Sequence, residues 1–171
     1  MDAQNVNPEN EPRPALADDL LFLCRNLNAA GAKYVVVGGW AIIQHGFART
    51  TTDIDILIDT SRENFEKVKE AMLKLPDGAI REVAPGDLDE FVVVRVGDEV
   101  VVDLMKSACG IDYGEAIKDL SIITMRDVTI PFASPRLLWR MKQTHRAKDA
   151  QDLLFLEELF REQADSQPRR R

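Results

Sequence analysis

The sequence predicts an α/β (α+β) domain: a mixed, twisted β-sheet with flanking helices, followed by C-terminal helices. Short β-branched runs alternate with segments of helical periodicity, and one pair of runs flanks a Gly-Asp turn. The chain has 171 residues, of which 45% are hydrophobic, so one core forms without disulfides.

Composition divides the chain into four parts. We expect a polar, proline-rich, disordered lead over residues 1–14, a core over 15–133, a helical segment over 134–163 and a disordered tail over 164–171. The lead has no apolar stretch of the signal-peptide type, and no run approaches the ~20 apolar residues of a membrane span. Two cysteines fit a reducing compartment. We therefore expect a cytoplasmic protein that does not bind membranes.

The first elements of the core alternate between helix and strand. Leucines at helical spacing predict a helix over residues 15–28, with Gly31 at its end. The β-branched run over 33–38 predicts a buried strand. The paired glycines Gly38 and Gly39 then open a helix of two turns.

The stretch DIDILID, residues 53–59, alternates with period two. Asp53 and Asp55 therefore share one face of a strand, and the isoleucines share the other. Thr60 is predicted to cap the next helix, with Glu63 completing a capping box.

The segment FVVVRVGDEVVVDL predicts a β-hairpin with a two-residue turn at Gly97-Asp98. That turn pairs Val96 with Glu99 and places Asp103 at the far end of the returning strand. Residues 121–132 are predicted to form a further short strand. Ser134-Pro135 then begins a helix that runs to about Gln163, with a break near residues 144–147.

Asp53 and Asp55 are the least expected residues of this core. Two residues apart on a strand, their Cα atoms lie roughly 6 to 7 Å apart. Two carboxylates at about that distance repel by ~3 kcal/mol at an effective dielectric of about 20. Exposure to water, nearby Arg or Lys side chains, or a divalent cation would each remove this penalty.

The surrounding residues favour the cation. Gly38 and Gly39 leave backbone N–H groups open to phosphate, and Asp103 provides a third strand carboxylate or a simple cap. Carboxylate oxygens suit Mg²⁺, and neither His45 nor His145 has zinc-ligand spacing. The net charge of −7 argues against a general nucleic-acid grip.

Gly38-Gly39, Asp53-x-Asp55 and the distant Asp103 together resemble the nucleotidyltransferase superfamily that shares the DNA polymerase β type of catalytic core. More narrowly, GGWAIIQHGFARTTTDIDILI and LLWRMKQTHRAKDAQDLLFL resemble nucleotidyltransferases of the abortive-infection toxin group. The resemblance runs from about residue 34 to 159 and implies the nucleotidyltransferase fold. Many members have Gly-Ser where this chain has Gly38-Gly39, which leaves only backbone N–H groups to hold the triphosphate there.

The resemblance also implies roles. Asp53, Asp55 and Asp103 would be catalytic and would hold Mg²⁺, or Mn²⁺ in its place, and Asp103 would accept the proton of the acceptor. Gly38 and Gly39 would approach the phosphates.

Four further residues are predicted to bind the nucleotide. Arg49 and Thr51 precede the acidic strand and would lie near the phosphates; the alternative is an ordinary surface loop. Lys142 and Lys148 belong to a basic segment that faces the nucleotide in the family; the alternative is a set of surface ion pairs such as Lys148 with Asp152.

The predicted function is transfer of a nucleoside monophosphate from an NTP to a hydroxyl of a tRNA, a protein or a small molecule, with release of pyrophosphate. The resemblance also implies a toxin–antitoxin or phage-defence role with a partner or antitoxin protein. Two alternatives are a non-catalytic nucleotide-binding partner or regulatory module with the same fold, and a purely structural cation site.

Overall fold

The computed structural model describes residues 11–166, so the predicted disorder of residues 1–10 and 167–171 concerns residues outside this range. Within the predicted lead, Arg13 contacts the core: its Nε donates to Glu99 and its Nη atoms donate to Asp19, each at 2.8 Å. No helix formed by residues 11–166 has the length and apolar character needed to cross a membrane.

Eight strands and seven α-helices make up the described part of the chain. The strands are β1 (Tyr34–Val37), β2 (Ile54–Ile58), β3 (Val93–Gly97), β4 (Val101–Met105), β5 (Ser107–Ala108), β6 (Ile111–Asp112), β7 (Leu120–Met125) and β8 (Val128–Ala133). The helices are α1 (Ala17–Ala29), α2 (Gly38–Gln44), α3 (Arg62–Met72), α4 (Asp87–Glu90), α5 (Tyr113–Ala116), α6 (Pro135–Met141) and α7 (Ala147–Asp165), with a 3-10 turn at Ala79–Glu82.

Six of the strands form one mixed sheet in the order β3-β4-β2-β1-β8-β7. The β2/β4 and β1/β8 pairs are parallel, and the other three pairs are antiparallel. Strands β5 and β6 form a separate small ladder. The predicted fold class, a mixed sheet with flanking helices, is confirmed.

The central strand β2 is covered on both faces. Ile54, Ile56 and Ile58 are buried on one face, and Leu57 is buried on the face that carries Asp53 and Asp55. The aspartates therefore lie at the end of a strand whose other residues belong to the core.

The predicted β3–β4 turn is wrong. Gly97 pairs with Val101, so the loop between the strands is residues 98–100 and the register shifts. Asp98 is buried and accepts hydrogen bonds from the backbone N–H groups of Asp77, Ala79 and Glu99 at 2.8–2.9 Å. A buried aspartate that accepts from three backbone N–H groups cannot occupy an exposed two-residue turn, and the new register places Arg95 opposite Asp103.

Three other predictions have clear outcomes. Residues 121–132 form parts of two strands, because Arg126 and Asp127 both adopt positive φ and make a two-residue hairpin turn. Ser61 caps α3 in place of Thr60, by accepting from the N–H of Asn64. The Ser134-Pro135 start of α6 and the break before α7 are confirmed.

Candidate active site

A row of three charged side chains crosses the neighbouring strands β3, β4 and β2. The register aligns Arg95 with Asp103, Asp103 with Asp55, and Asp55 with Val37. Cross-strand partners share a face of the sheet, so Arg95, Asp103 and Asp55 lie side by side. Asp53 precedes β2 and shares that face.

All nine residues singled out in the sequence line one cavity of about 320 Å³. They are Gly38, Gly39, Arg49, Thr51, Asp53, Asp55, Asp103, Lys142 and Lys148. Arg95 and Arg146 also line it and were not singled out, although both are basic residues within the predicted hairpin and C-terminal segment. The fold thus brings together residues that are more than 100 positions apart in the sequence.

Arg95 contacts two of the three carboxylates. Its Nε and Nη2 donate to Asp103 Oδ1 and Oδ2, and Nη2 also donates to Asp53 Oδ2, each at 3.0 Å. Among residues 11–166, no three acidic, His or Cys side chains are arranged to hold a metal as they stand. In this conformation the guanidinium of Arg95 balances the negative charges of Asp53 and Asp103, and no cation site is formed there.

Asp55 has no such partner among the described residues. Burial, followed by the neighbouring charges of Asp103 and Asp53, raises the pKa of its carboxyl to about 7. Lys142 and Lys148 lower the pKa, but they do not offset burial. The row therefore carries more negative charge than its protein cations neutralise.

Gly38 is required by the carboxylate beside it. Its φ is +63°, and an added Cβ would lie 2.9 Å from Cγ of Asp55 and closer still to a carboxylate oxygen. The Asp55 side chain therefore packs directly on the Gly38 backbone.

Gly39 makes room for two side chains of the loop before β2. An added Cβ would lie 2.5 Å from Thr51 Oγ1 and 3.0 Å from Arg49 Nη2. The hydroxyl of Thr51 and the guanidinium of Arg49 thus lie over Gly39. The chain offers a hydroxyl at this place even though residue 39 has no side chain.

The side chain of Arg49 is held in place by a contact with the C-terminal helix α7. Its Nε lies 3.1 Å from Oδ1 of Asp152, whose side chain is fully buried on α7. The two atoms are not aligned for a hydrogen bond, so the contact is one between charges in a desolvated setting.

Lys142 belongs to the same buried cluster. Its Nζ lies 3.1 Å from Asp149 and 2.8 Å from Asp152, and all three side chains are buried. The alternative of ion pairs at helical spacing holds for Arg146 with Asp149 but is wrong for Asp152, which is buried and pairs with Lys142 and Arg49, not with Lys148. The helical path is interrupted between α6 and α7. This break allows Lys142 to face the carboxylates of Asp149 and Asp152, seven and ten positions later in the sequence.

Lys148 and Arg146 are the exposed basic residues that the C-terminal segment contributes to the cavity. Arg146 Nε donates to Asp149 at 2.8 Å, whereas Lys148 has no ion-pair partner within residues 11–166. Of the two lysines singled out in the sequence, Lys148 thus has its ammonium free for a ligand and Lys142 has its ammonium in the buried cluster.

The fold is shared with solved structures. An antigenic nucleotidyltransferase-like protein from Paracoccidioides brasiliensis matches with a TM-score of 0.51 and 17% identity, over 85% of this chain and 78% of that chain. A candidate nucleotidyltransferase from Thermotoga maritima matches with a TM-score of 0.49 and 14% identity, over 90% of this chain and 98% of that chain. The match to the Paracoccidioides brasiliensis protein shows that the chain has a nucleotidyltransferase-like fold. No protein-family model and no curated protein sequence matches the chain.

We expect Gly38→Ala to lower the free energy of unfolding by about 2–4 kcal/mol, because it adds a clash with Asp55 to the strain of a positive φ. Gly31→Ala is the matched control: its φ is +68°, but nothing lies within 4 Å of an added Cβ. That variant should lose only about 1–2 kcal/mol. Urea unfolding measures both, and equal losses would contradict the packing of Asp55 on Gly38.

Asp55 also predicts a pH dependence in metal-free buffer. Its folded-state pKa lies above the ordinary 3.8, so the folded protein binds the extra proton and loses stability as pH rises from 3.8 towards 7. Asp55→Asn removes this loss. The difference in the free energy of unfolding, variant minus wild type, should therefore increase by about 2–3 kcal/mol from about pH 5 to about pH 8. Urea unfolding with EDTA at both pH values tests this, and a constant difference would refute it.

Proposed function

We propose that this protein is a divalent-cation-dependent nucleotidyltransferase, which transfers a nucleoside monophosphate from an NTP to an acceptor hydroxyl and releases pyrophosphate. One observation carries the proposal: three strand carboxylates, a glycine pair and basic side chains line a single cavity. The fold shared with a nucleotidyltransferase-like protein supports it.

The donor set suits a hard divalent cation. Asp53, Asp55 and Asp103 offer only oxygen atoms, and the pKa of Asp55 is raised by burial and by its acidic neighbours, so additional positive charge would be favourable. These three residues would hold Mg²⁺ or Mn²⁺. When bound, such ions neutralise charge on the entering and leaving oxygens of a phosphoryl transfer.

The other residues of the cavity would bind the triphosphate. Gly38 and Gly39 form a wall without side chains, against which phosphate oxygens can approach the backbone. Arg49 supplies a fixed positive charge beside Gly39, and Thr51 supplies a hydroxyl at the same place. Lys148 supplies an exposed charge from α7.

Asp103 would accept the proton of the acceptor hydroxyl. Its side chain is buried and lies between Asp55 and Arg95, on the cavity side of the sheet. Removal of that proton makes the acceptor oxygen a better nucleophile for the α-phosphate.

The acceptor in this proposal is a tRNA, a protein or a small molecule. The net charge of −7 disfavours a large RNA, unless the basic side chains of residues 136–148 guide it to the cavity. A toxin–antitoxin or phage-defence role, with an antitoxin protein as partner, is supported by the sequence resemblance to the toxin group.

A second candidate is a nucleotide-binding regulatory module without turnover. The observation that favours it is the pairing of Arg95 with Asp53 and Asp103, which leaves no ready-made cation site. Such a module would bind NTP but would not transfer label to any acceptor.

A transfer assay separates the two candidates. Each α-³²P NTP is incubated with Mg²⁺ and with total cell RNA, total cell protein or a small-molecule extract. We expect label in one fraction, reduced by roughly a hundredfold or more in Asp53→Asn. Asp89→Asn, which changes an exposed aspartate outside the cavity, should transfer like the wild type. NTP binding without transfer to any fraction would favour the regulatory module.

A further inference from the structure

Arg95 occupies the carboxylate row in a way that the proposed reaction does not use. A single guanidinium spans Asp103 and Asp53 through three hydrogen bonds of 3.0 Å. These are two of the three residues that would hold a divalent cation. Because the oxygens that face Arg95 are already hydrogen-bonded, a cation and Arg95 compete for them.

The backbone of Arg95 is fixed, but its side chain is not enclosed. Arg95 lies on β3, the edge strand of the sheet, and pairs with Asp103 on β4. Its side chain is 64% exposed, whereas that of Asp103 is 9% exposed. The guanidinium can therefore leave by rotation of its own side chain, while the carboxylate stays in place.

Arg49 provides the internal comparison. Its side chain is only 12% exposed and is held by the fully buried Asp152. These two arginines line the same cavity, and of the two, Arg95 is the one that can turn away into solvent or towards a ligand. Arg49 thus supplies a fixed guanidinium and Arg95 a movable one beside the carboxylates.

We propose that Arg95 is a positioning residue that acts as the resident counter-ion of the carboxylate row: it holds Asp53 and Asp103 when no divalent cation is bound, and it releases both to the cation when a triphosphate arrives. This inference rests on the proposed function and goes beyond it. A triphosphate offers Arg95 anionic oxygens that suit its planar, bidentate donors. Metal binding is therefore weak alone and is strengthened by the nucleotide.

The experiment is a titration with Mn²⁺, in which the electron paramagnetic resonance signal of free Mn²⁺ reports binding without any turnover. Wild type, Arg95→Gln and Arg95→Lys are compared with and without a non-hydrolysable NTP analogue. Arg95→Gln removes the charge and keeps an amide, and Arg95→Lys keeps the charge. Arg95→Met is a second neutral variant of similar length, and thermal melting checks that each variant is folded.

We expect Arg95→Gln and Arg95→Met to bind Mn²⁺ alone about fivefold more tightly than the wild type, the upper range for a solvent-screened ion pair. The analogue should increase Mn²⁺ affinity strongly in the wild type and less in the neutral variants. Arg95→Lys should stay nearer to the wild type.

Unchanged or weaker Mn²⁺ binding by both neutral variants would overturn the inference and leave the proposed function standing. Absence of Mn²⁺ binding from the wild type and every variant, with and without the analogue, would overturn both. The two failures are therefore distinguishable within one set of titrations.

Discussion

Asp55 and Asp103 are direct partners across two parallel strands, so the same backbone hydrogen bonds that build the sheet bring two like charges together. Asp53 adds a third carboxylate on the same face. The strand register fixes the Cα positions of Asp55 and Asp103 and keeps both side chains on the cavity face. The packing of Asp55 on Gly38 and the guanidinium across Asp53 and Asp103 both accommodate this constraint.

The charged side chains around the cavity differ in how firmly they are held. The buried cluster of Lys142, Asp149 and Asp152 ties the start of α7 to the break after α6, and through Asp152 it fixes Arg49 beside Gly39. Buried ion pairs of this kind specify geometry more than they add stability. Arg95, by contrast, has an exposed side chain. Under the function proposed above, the fixed charge of Arg49 would bind an anionic substrate, and Arg95 would give way to the cation of that substrate.

Local patterns in the sequence were enough to predict the carboxylates and the glycines. Period-two alternation places Asp53 and Asp55 on one face, whereas Asp103, which was expected at a strand end, lies in the middle of β4. The contact of Arg95 with Asp103 was beyond such patterns. It depends on the β3–β4 register, which is set by hydrogen bonds from residues 77 and 79 to the buried Asp98. A turn motif read in isolation contains no trace of a partner twenty positions away.

Ion pairs of the C-terminal helix α7 were also missed in the sequence, for a different reason. Asp149 and Asp152 look like the solvent-facing partners of nearby basic residues, because spacing along a helix indicates only neighbours on that helix. Arg146 does pair with Asp149 at that spacing, but both aspartates are buried, and their other partners, Lys142 and Arg49, come from segments that the fold brings against α7. Charged residues that satisfy each other across segments are invisible to helical periodicity.

We propose that the carboxylate row holds divalent cations against a triphosphate bound at Gly38 and Gly39. The most direct test is a crystal structure with Mn²⁺ and a non-hydrolysable NTP analogue, solved with anomalous diffraction data. We expect anomalous density among the oxygens of Asp53, Asp55 and Asp103, with phosphate density beside the glycine pair. Triphosphate bound elsewhere, or bound in the cavity with no anomalous density at the three aspartates, would contradict it.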